Sequence, residues 1–305
     1  MPVTVVRSGV EESRHAVHVA VVGADGRLVA WHGDPHRLTT MRSAAKPFQA
    51  EPLVASGALD AFAMDDEVLA VCCASHHGLD MHAAAVRRGL AAAGLGPEVL
   101  RNSTGSPAQR LRHNCSGNHL AFLAHAAHRG WDVPGYREPG HPAQRAALEV
   151  VAGAAGVPEQ GVETCTDGCG VVCFVLPLAT IAGMYARLGA LVPRQHAAMR
   201  AHPAMVAAPG DLDTELMVAL DGCVAKGGAE GLGCVSLSEP GLGIAVRIED
   251  GASRSVDPAL MAVLAQLLGW EAPPPALAPF AEPELRNSPG DLVGHLRADV
   301  YLVEE

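Results

Sequence analysis

Lysine is nearly missing from this chain of 305 residues: Lys46 and Lys226 stand against 20 arginines. On a solvated surface Arg serves as well as Lys. Arg cannot give up its proton, whereas a lysine that is buried or set beside another cation can, and can then act as a base. The two that remain are therefore candidates for work that arginine cannot do. Aromatic residues are also few, at 4%. No run of basic residues occurs and the net charge is −11, which argues against nucleic acid or an anionic membrane as a partner. Apolar stretches are broken by Gly, Pro or charge well short of the roughly 18 residues that a spanning helix needs. The segment from Met1 to Gly9 alternates polar and apolar residues and lacks a cationic start followed by an apolar stretch, so no secretory signal is expected. Eight cysteines are too sparse for a disulfide scaffold and are expected as reduced thiols of a cytoplasmic protein.

What is present fits a globular α/β protein: 49% apolar residues and 33 glycines. Val3–Arg7 and His15–Val22 alternate as half-buried strands. Ala24-Asp25-Gly26 signals a hairpin turn and Leu28–Trp31 the returning strand. Helices are expected over Ala44–Ser56, Asp80–Ala93, His119–His128, Pro142–Ala155, Pro177–Leu188, Pro193–Ala201, Leu212–Asp221 and Pro258–Leu268. Gly233–Leu237 pairs with Gly243–Ile248, and Val300–Val303 reads as a closing strand. Gly161–Val172 reads as a tight connection entering a strand, and Ala272–Pro283 as a Pro-rich surface loop. Regular β-α-β alternation is absent, which argues against a doubly wound parallel sheet. The expected class is α/β of the α+β kind: an antiparallel sheet formed from both chain ends, flanked by helices, with a mostly helical middle. One catalytic unit over residues 1–305 is expected, divisible into residues 1–60 with 210–305 and residues 61–209.

Several short patterns carry chemistry. Ser43-Ala44-Ala45-Lys46 is an S-x-x-K motif; on a helix the two side chains share a face, and a serine hydroxyl needs a base to become a nucleophile. Arg42 just before it supplies a cation for the lysine or for a substrate carboxylate. In penicillin-recognising enzymes S-x-x-K is followed in chain order by S-x-N and K-[ST]-G; here Ser116-Gly117-Asn118 and Lys226-Gly227-Gly228 follow, the last without its hydroxyl. His113-Asn114-Cys115-Ser116-Gly117-Asn118-His119 gathers donors and acceptors where a helix begins, a position that favours anions. Cys165-Thr166-Asp167-Gly168-Cys169-Gly170 holds a C-x₃-C pair, which with Cys115 could bind zinc, and Asp167 is placed to take an α-ammonium group. Ser75, before His76 and His77, offers a second hydroxyl.

Together these stretches resemble the asparaginase II family, of the rhizobial, thermolabile type. The matching pieces are Arg42-Ser43-Ala44-Ala45-Lys46-Pro47, Cys73-Ala74-Ser75-His76, His113-Asn114-Cys115-Ser116-Gly117, Thr166-Asp167-Gly168-Cys169-Gly170 and Lys226-Gly227-Gly228-Ala229-Glu230-Gly231, in family order, with Asn287-Ser288-Pro289-Gly290 as a weaker extension. The resemblance implies a fold similar to serine β-lactamases, penicillin-binding proteins and glutaminases, a homodimer, and hydrolysis of L-asparagine to L-aspartate and ammonia. It implies two catalytic pairs, Ser43 with Lys46 and Ser75 with Lys226. It implies substrate contacts at Arg42, Asn114, Cys115, His119 and Asp167. It also implies a zinc site on Cys115 and Cys169 with a lysine between them. This chain has Asn118 at that lysine position, so zinc is not expected to be required, and substrate preference can differ.

The expected reaction is acyl transfer through Ser43 activated by Lys46, on a small amino-acid substrate. Two other readings compete: an acyl-serine hydrolase for glutamine, a β-lactam or an ester that uses the same residues, and a non-enzymatic zinc-binding protein built on Cys115, Cys165 and Cys169.

Overall fold

The computed structural model describes Pro2–Glu304. The chain divides into two compact units. One takes residues 1–39, 177–187 and 215–305; the other takes 40–176 and 188–214.

The first unit is built on an antiparallel sheet from both chain ends. Its strands run Glu284–Arg286, Leu292–Ala298, Pro2–Arg7, Val10–Gly23, Leu242–Ile248, Leu232–Leu237 and Cys223–Gly228 in spatial order. Leu28–His32 also pairs with Val10–Gly23, and Val303–Glu304 pairs with Leu28–His32. The expected turn at Ala24–Gly26 closes with Gly23 N–H donating to Arg27 O at 2.9 Å. Leu232–Leu237 is buried at every position, as in strands covered on both faces. Two glycines show how the covering is achieved. A Cβ on Gly243 would lie 1.9 Å from Ala182 O, in helix Leu178–Ala186, and one on Gly233 would lie 2.7 Å from Leu260, in helix Val256–Leu268. Gly233 pairs with Val246, three residues from Gly243. Side chains alternate along a strand, so the two helices sit on opposite faces of this sheet.

The sequence did not signal Cys223–Gly228 or Leu292–Ala298 as strands. Both contain glycine and lack regular alternation, and it is pairing to Leu232–Leu237 and to Pro2–Arg7 that makes them strands. Lys226 therefore lies inside a strand, opposite Cys234. The closing strand is Val303–Glu304, later than Val300–Val303.

The second unit is mostly helical. Its central helix, Ser116–Arg129, is buried from Ser116 through Ala126 and packs against helices Asp66–Cys72, Asp80–Ala92 and Pro142–Ala155. Glycine sets the closest approach: a Cβ on Gly117 would stand 1.8 Å from Val71 O. The first turn of the central helix therefore presses against the end of Asp66–Cys72, whose chain leads on to Ser75. Residues 163–166, expected as part of a connection, form a strand paired antiparallel with Val172–Pro177. Among the described residues no helix is long and apolar enough to cross a membrane.

Candidate active site

The S-x-x-K motif does not open one long α-helix. Arg42–Ala45 is a 3₁₀ turn, followed by the short helices Lys46–Gln49 and Glu51–Ala55. Pro52 has no N–H to donate four residues back to Phe48, so the ladder breaks there. Arg42 carries φ 45°, a left-handed conformation that costs a non-glycine residue about 1–2 kcal/mol. Its guanidinium Nε donates to Asp167 Oδ1 at 2.5 Å, an anchor for that conformation.

Lys46 is the hub of the second unit. Its side chain is buried, with 3% exposure, and Nζ donates to Ala74 O at 2.6 Å, Ser75 Oγ at 3.0 Å and Cys115 Sγ at 3.3 Å. The sequence expects the amine to meet Ser43. Ser43 and Lys46 do line the same pocket, but the hydrogen bond goes to Ser75. The tight 3₁₀ turn spends the Lys46 backbone N–H on Ser43 O, and the lysine side chain reaches across to the segment after helix Asp66–Cys72. Ser75 is fixed by its own N–H donating to Val206 O at 2.8 Å. The next residue locks the loop further. His76 Nδ1 accepts from Gly78 N–H, so Nε2 carries the proton and donates to Ser116 Oγ at 2.9 Å. Burial lowers the His76 pKa to about 3, so it is neutral at pH 7.

Two cysteines lie close together beside Lys46. The Cys115 thiol is held far below its ordinary value, first by the hydrogen bond with Cys169 and then by the Lys46 charge, against the opposing effect of burial. The same bond pushes Cys169 up. Cys169 and Asp167 belong to the turn between strands Glu163–Thr166 and Val172–Pro177, where Asp167 N–H donates to Val171 O and Gly170 N–H to Asp167 O. The ligand atoms of Cys115, Asp167 and Cys169 all lie within 4.8 Å of one another. Two sulfurs and a carboxylate at that spacing fit zinc in donor type and distance. The sequence pattern includes the two cysteines; the fold adds Asp167, and Asn118 stands in place of an amine.

The pocket beside this cluster is narrow, with a cavity volume of about 10 Å³, roughly the space of one water. Its walls include Arg42, Ser43, Lys46, Asp167, Cys169 and Asn118, and also Gln49 and Cys173. Sequence reasoning named Cys173 among the clustered cysteines and missed Gln49. Gln49 lies three residues after Lys46, the one signal that could have found it, and its Nε2 donates to Val172 O at 3.1 Å.

The remaining expected residues are placed as follows. Asn114 is exposed, with Oδ1 3.4 Å from Cys115 Sγ. His119 is fully buried and does not line the pocket; its Nδ1 is 2.5 Å from Tyr136 Oη, and burial lowers its pKa to about 3. Burial raises the Tyr136 phenol, so the Tyr136 hydroxyl donates to a neutral imidazole. Asn118 is buried, with neither Oδ1 nor Nδ2 hydrogen-bonded among the described residues; an unpaired buried polar group costs about 1–3 kcal/mol. Lys226, in the first unit, is fully buried, and its Nζ donates to Gly227 O at 2.6 Å. All eight cysteines are free thiols.

The family model described as L-asparaginase II matches residues 3–298. The chain belongs to the L-asparaginase II family. No curated protein sequence matches the chain. Among solved structures, this family member is similar in fold to Mglu in its native form, with a TM-score of 0.50 and 16% identity over 83% of this chain. It spans 64% of Mglu, less than two thirds of that protein's length. A β-lactamase from Mycobacterium bovis matches with a TM-score of 0.42 and 17% identity, over 83% of this chain and 94% of that one.

Proposed function

We propose that this L-asparaginase II family member hydrolyses the side-chain amide of L-asparagine, by acyl transfer to a serine hydroxyl that Lys46 activates. One observation carries the proposal: a buried primary amine sits 3.0 Å from one hydroxyl, Ser75 Oγ, and shares a pocket with another, Ser43. A lysine in contact with a serine has no common use in a core, whereas a positioned amine can take a proton that an arginine cannot.

Ser43 lines the pocket and Ser75 does not, so Ser43 is the nucleophile of this reading. Its contact with Lys46 tightens on substrate binding, as catalytic hydrogen bonds often do. In its neutral form Lys46 takes the Ser43 proton as the bond to the amide carbon forms. The proton then passes to the departing nitrogen, which leaves as ammonia, with Ser75 as the relay on the far side of the amine. Water attacks the ester, Lys46 again takes the proton, and Ser43 is restored with release of aspartate. Arg42 pairs with the α-carboxylate and Asp167 with the α-ammonium group, so substrate exchanges one ion pair for two. Cys115, Cys169 and Asp167 would hold a zinc ion, which when bound supplies Lewis-acid polarisation of a carbonyl.

A second reading makes Ser75 the nucleophile, favoured by its hydrogen bond to Lys46. Ammonia release from a panel of L-asparagine, L-glutamine and a β-lactam, followed by acid quench and peptide mass mapping of the acyl-enzyme, separates these readings. The label is expected on the peptide holding Ser43, and Lys46→Arg is expected to lower turnover at least about a thousandfold. Full turnover by Lys46→Arg would show that Lys46 is not the base. Release of ammonia from none of the amides would remove the amidohydrolase proposal itself.

A further inference from the structure

The first turn of helix Ser116–Arg129 presents Asn118 to the pocket that also holds Ser43 and Lys46. Its side chain is completely buried, yet both of its polar atoms lack a partner among the described residues. Such pairs of unmet atoms are rare in protein interiors. A structural asparagine this deep normally caps a helix or bridges two loops. Asn118 does neither: the capping position belongs to Cys115, and the neighbouring Ser116 Oγ is already engaged by His76 and Leu111 O.

The chemistry of the edge narrows what would satisfy it. An asparagine side chain offers an acceptor on one end and a donor on the other. Turning the amide over exchanges the ends and leaves the same complementary edge. A carboxylate can use only the donor, and sets its own charge against Oδ1. An ammonium group can use only the acceptor. A primary carboxamide satisfies both at once, its oxygen accepting from Nδ2 and its nitrogen donating to Oδ1, in one plane. The face of that plane stays open for a hydroxyl to attack.

We infer that Asn118 is a specificity-determining residue that reads the primary carboxamide of the substrate through a paired amide–amide contact. The inference rests on the amidohydrolase reading above and assigns this chain's own recognition element for the scissile group. In this pairing Nδ2 donates to the amide oxygen as it gains charge on attack, a donor placed where charge develops. Oδ1 meanwhile holds the departing nitrogen. An ester has the oxygen but no nitrogen proton, so it leaves Oδ1 unsatisfied. A site built to hydrogen-bond a group discriminates strongly against analogues that lack it.

The test compares the parent with Asn118→Leu, which is similar in size and has no polar atoms. The substrates are L-asparagine and the β-methyl ester of L-aspartate. Asn118→Leu is expected to lower kcat/KM for the amide by about a hundredfold or more, and the amide-to-ester ratio by about tenfold or more. Its Tm should stay level or rise, because two unmet polar groups leave the interior, which a structural role for Asn118 would not predict. In a Ser43→Ala, Ser75→Ala background, calorimetry should show asparagine binding weakened at least tenfold by Asn118→Leu and aspartate binding little changed. An unchanged amide-to-ester ratio in a parent that hydrolyses asparagine overturns this inference and leaves the amidohydrolase reading standing. Stoichiometric zinc in the parent that Asn118→Leu loses also overturns it, because the amide would then be a metal ligand. A parent that neither hydrolyses nor binds asparagine overturns both.

Discussion

Acidification should weaken this fold well above the pH at which carboxylates begin to protonate, and the two most strongly shifted histidines, both in the mostly helical unit, contribute most. His76 and His119 are buried, and burial lowers each from an ordinary value of 6.5 to about 3. In the unfolded chain both bind a proton as pH falls through 6.5; in the folded chain neither does until about 3. The unfolded state therefore holds more protons between those values, and stability, complete above 6.5, is lost as pH falls. Each histidine contributes at most about 1.4 kcal/mol per pH unit, so at pH 5 each has lost about 2 kcal/mol and the pair about 4. That is a large fraction of the roughly 5–15 kcal/mol usual for a protein. The location makes the loss functional too. His76 ties the Ser75 loop to Ser116, and His119 stands next to Asn118 in the turn that starts at Cys115. Urea unfolding at pH 7.5, 6.5, 5.5 and 5.0 measures the effect. A midpoint that falls steadily below pH 6.5 is expected, with the slope reduced in His119→Phe relative to parent. Stability that is flat from pH 7.5 to 5 would refute the reasoning, because it would mean that these imidazoles charge as readily inside as outside.

Two further outcomes follow from the same geometry. Gly117→Ala sets a methyl group 1.8 Å from Val71 O; it should destabilise by about 3 kcal/mol or more and lower activity, read by Tm and turnover together, since backbone must move between Cys115 and Ser75. Asp167→Asn removes the carboxylate that pairs with Arg42 at 2.5 Å; KM for L-asparagine should rise at least tenfold with a smaller fall in kcat, and an unchanged KM would exclude Asp167 from ammonium binding.

Much of the chemistry was legible in residue identity. With only two lysines in the chain, Lys46 stood out before any fold was known, and the structure buries it against a serine. Ser75, Cys115, Cys169 and Asp167 were singled out from short motifs, and the fold gathers them with Lys46 in one unit. Which hydroxyl the amine touches was not legible. The reading of one long helix from Ala44 to Ser56 placed Lys46 on Ser43, whereas Pro47 and Pro52 give a 3₁₀ turn and two short helices. Gln49 and the unmet amide of Asn118 emerged only from the packed pocket.

The sequence by itself determined the local geometry that depends on near neighbours: the turn at Ala24–Gly26, the helices Pro142–Ala155 and Pro193–Ala201, whose starting prolines fit the first helical turn, and the inventory of reactive groups. Tertiary structure decided what depends on distant partners. Cys223–Gly228 becomes a strand because Leu232–Leu237 lies beside it, and the Cys115 thiol is drawn below its ordinary value because Cys169 and Lys46 are brought to it from 54 and 69 residues away. Hydrogen bonding and charge act over a few ångströms of space, whatever the separation along the chain.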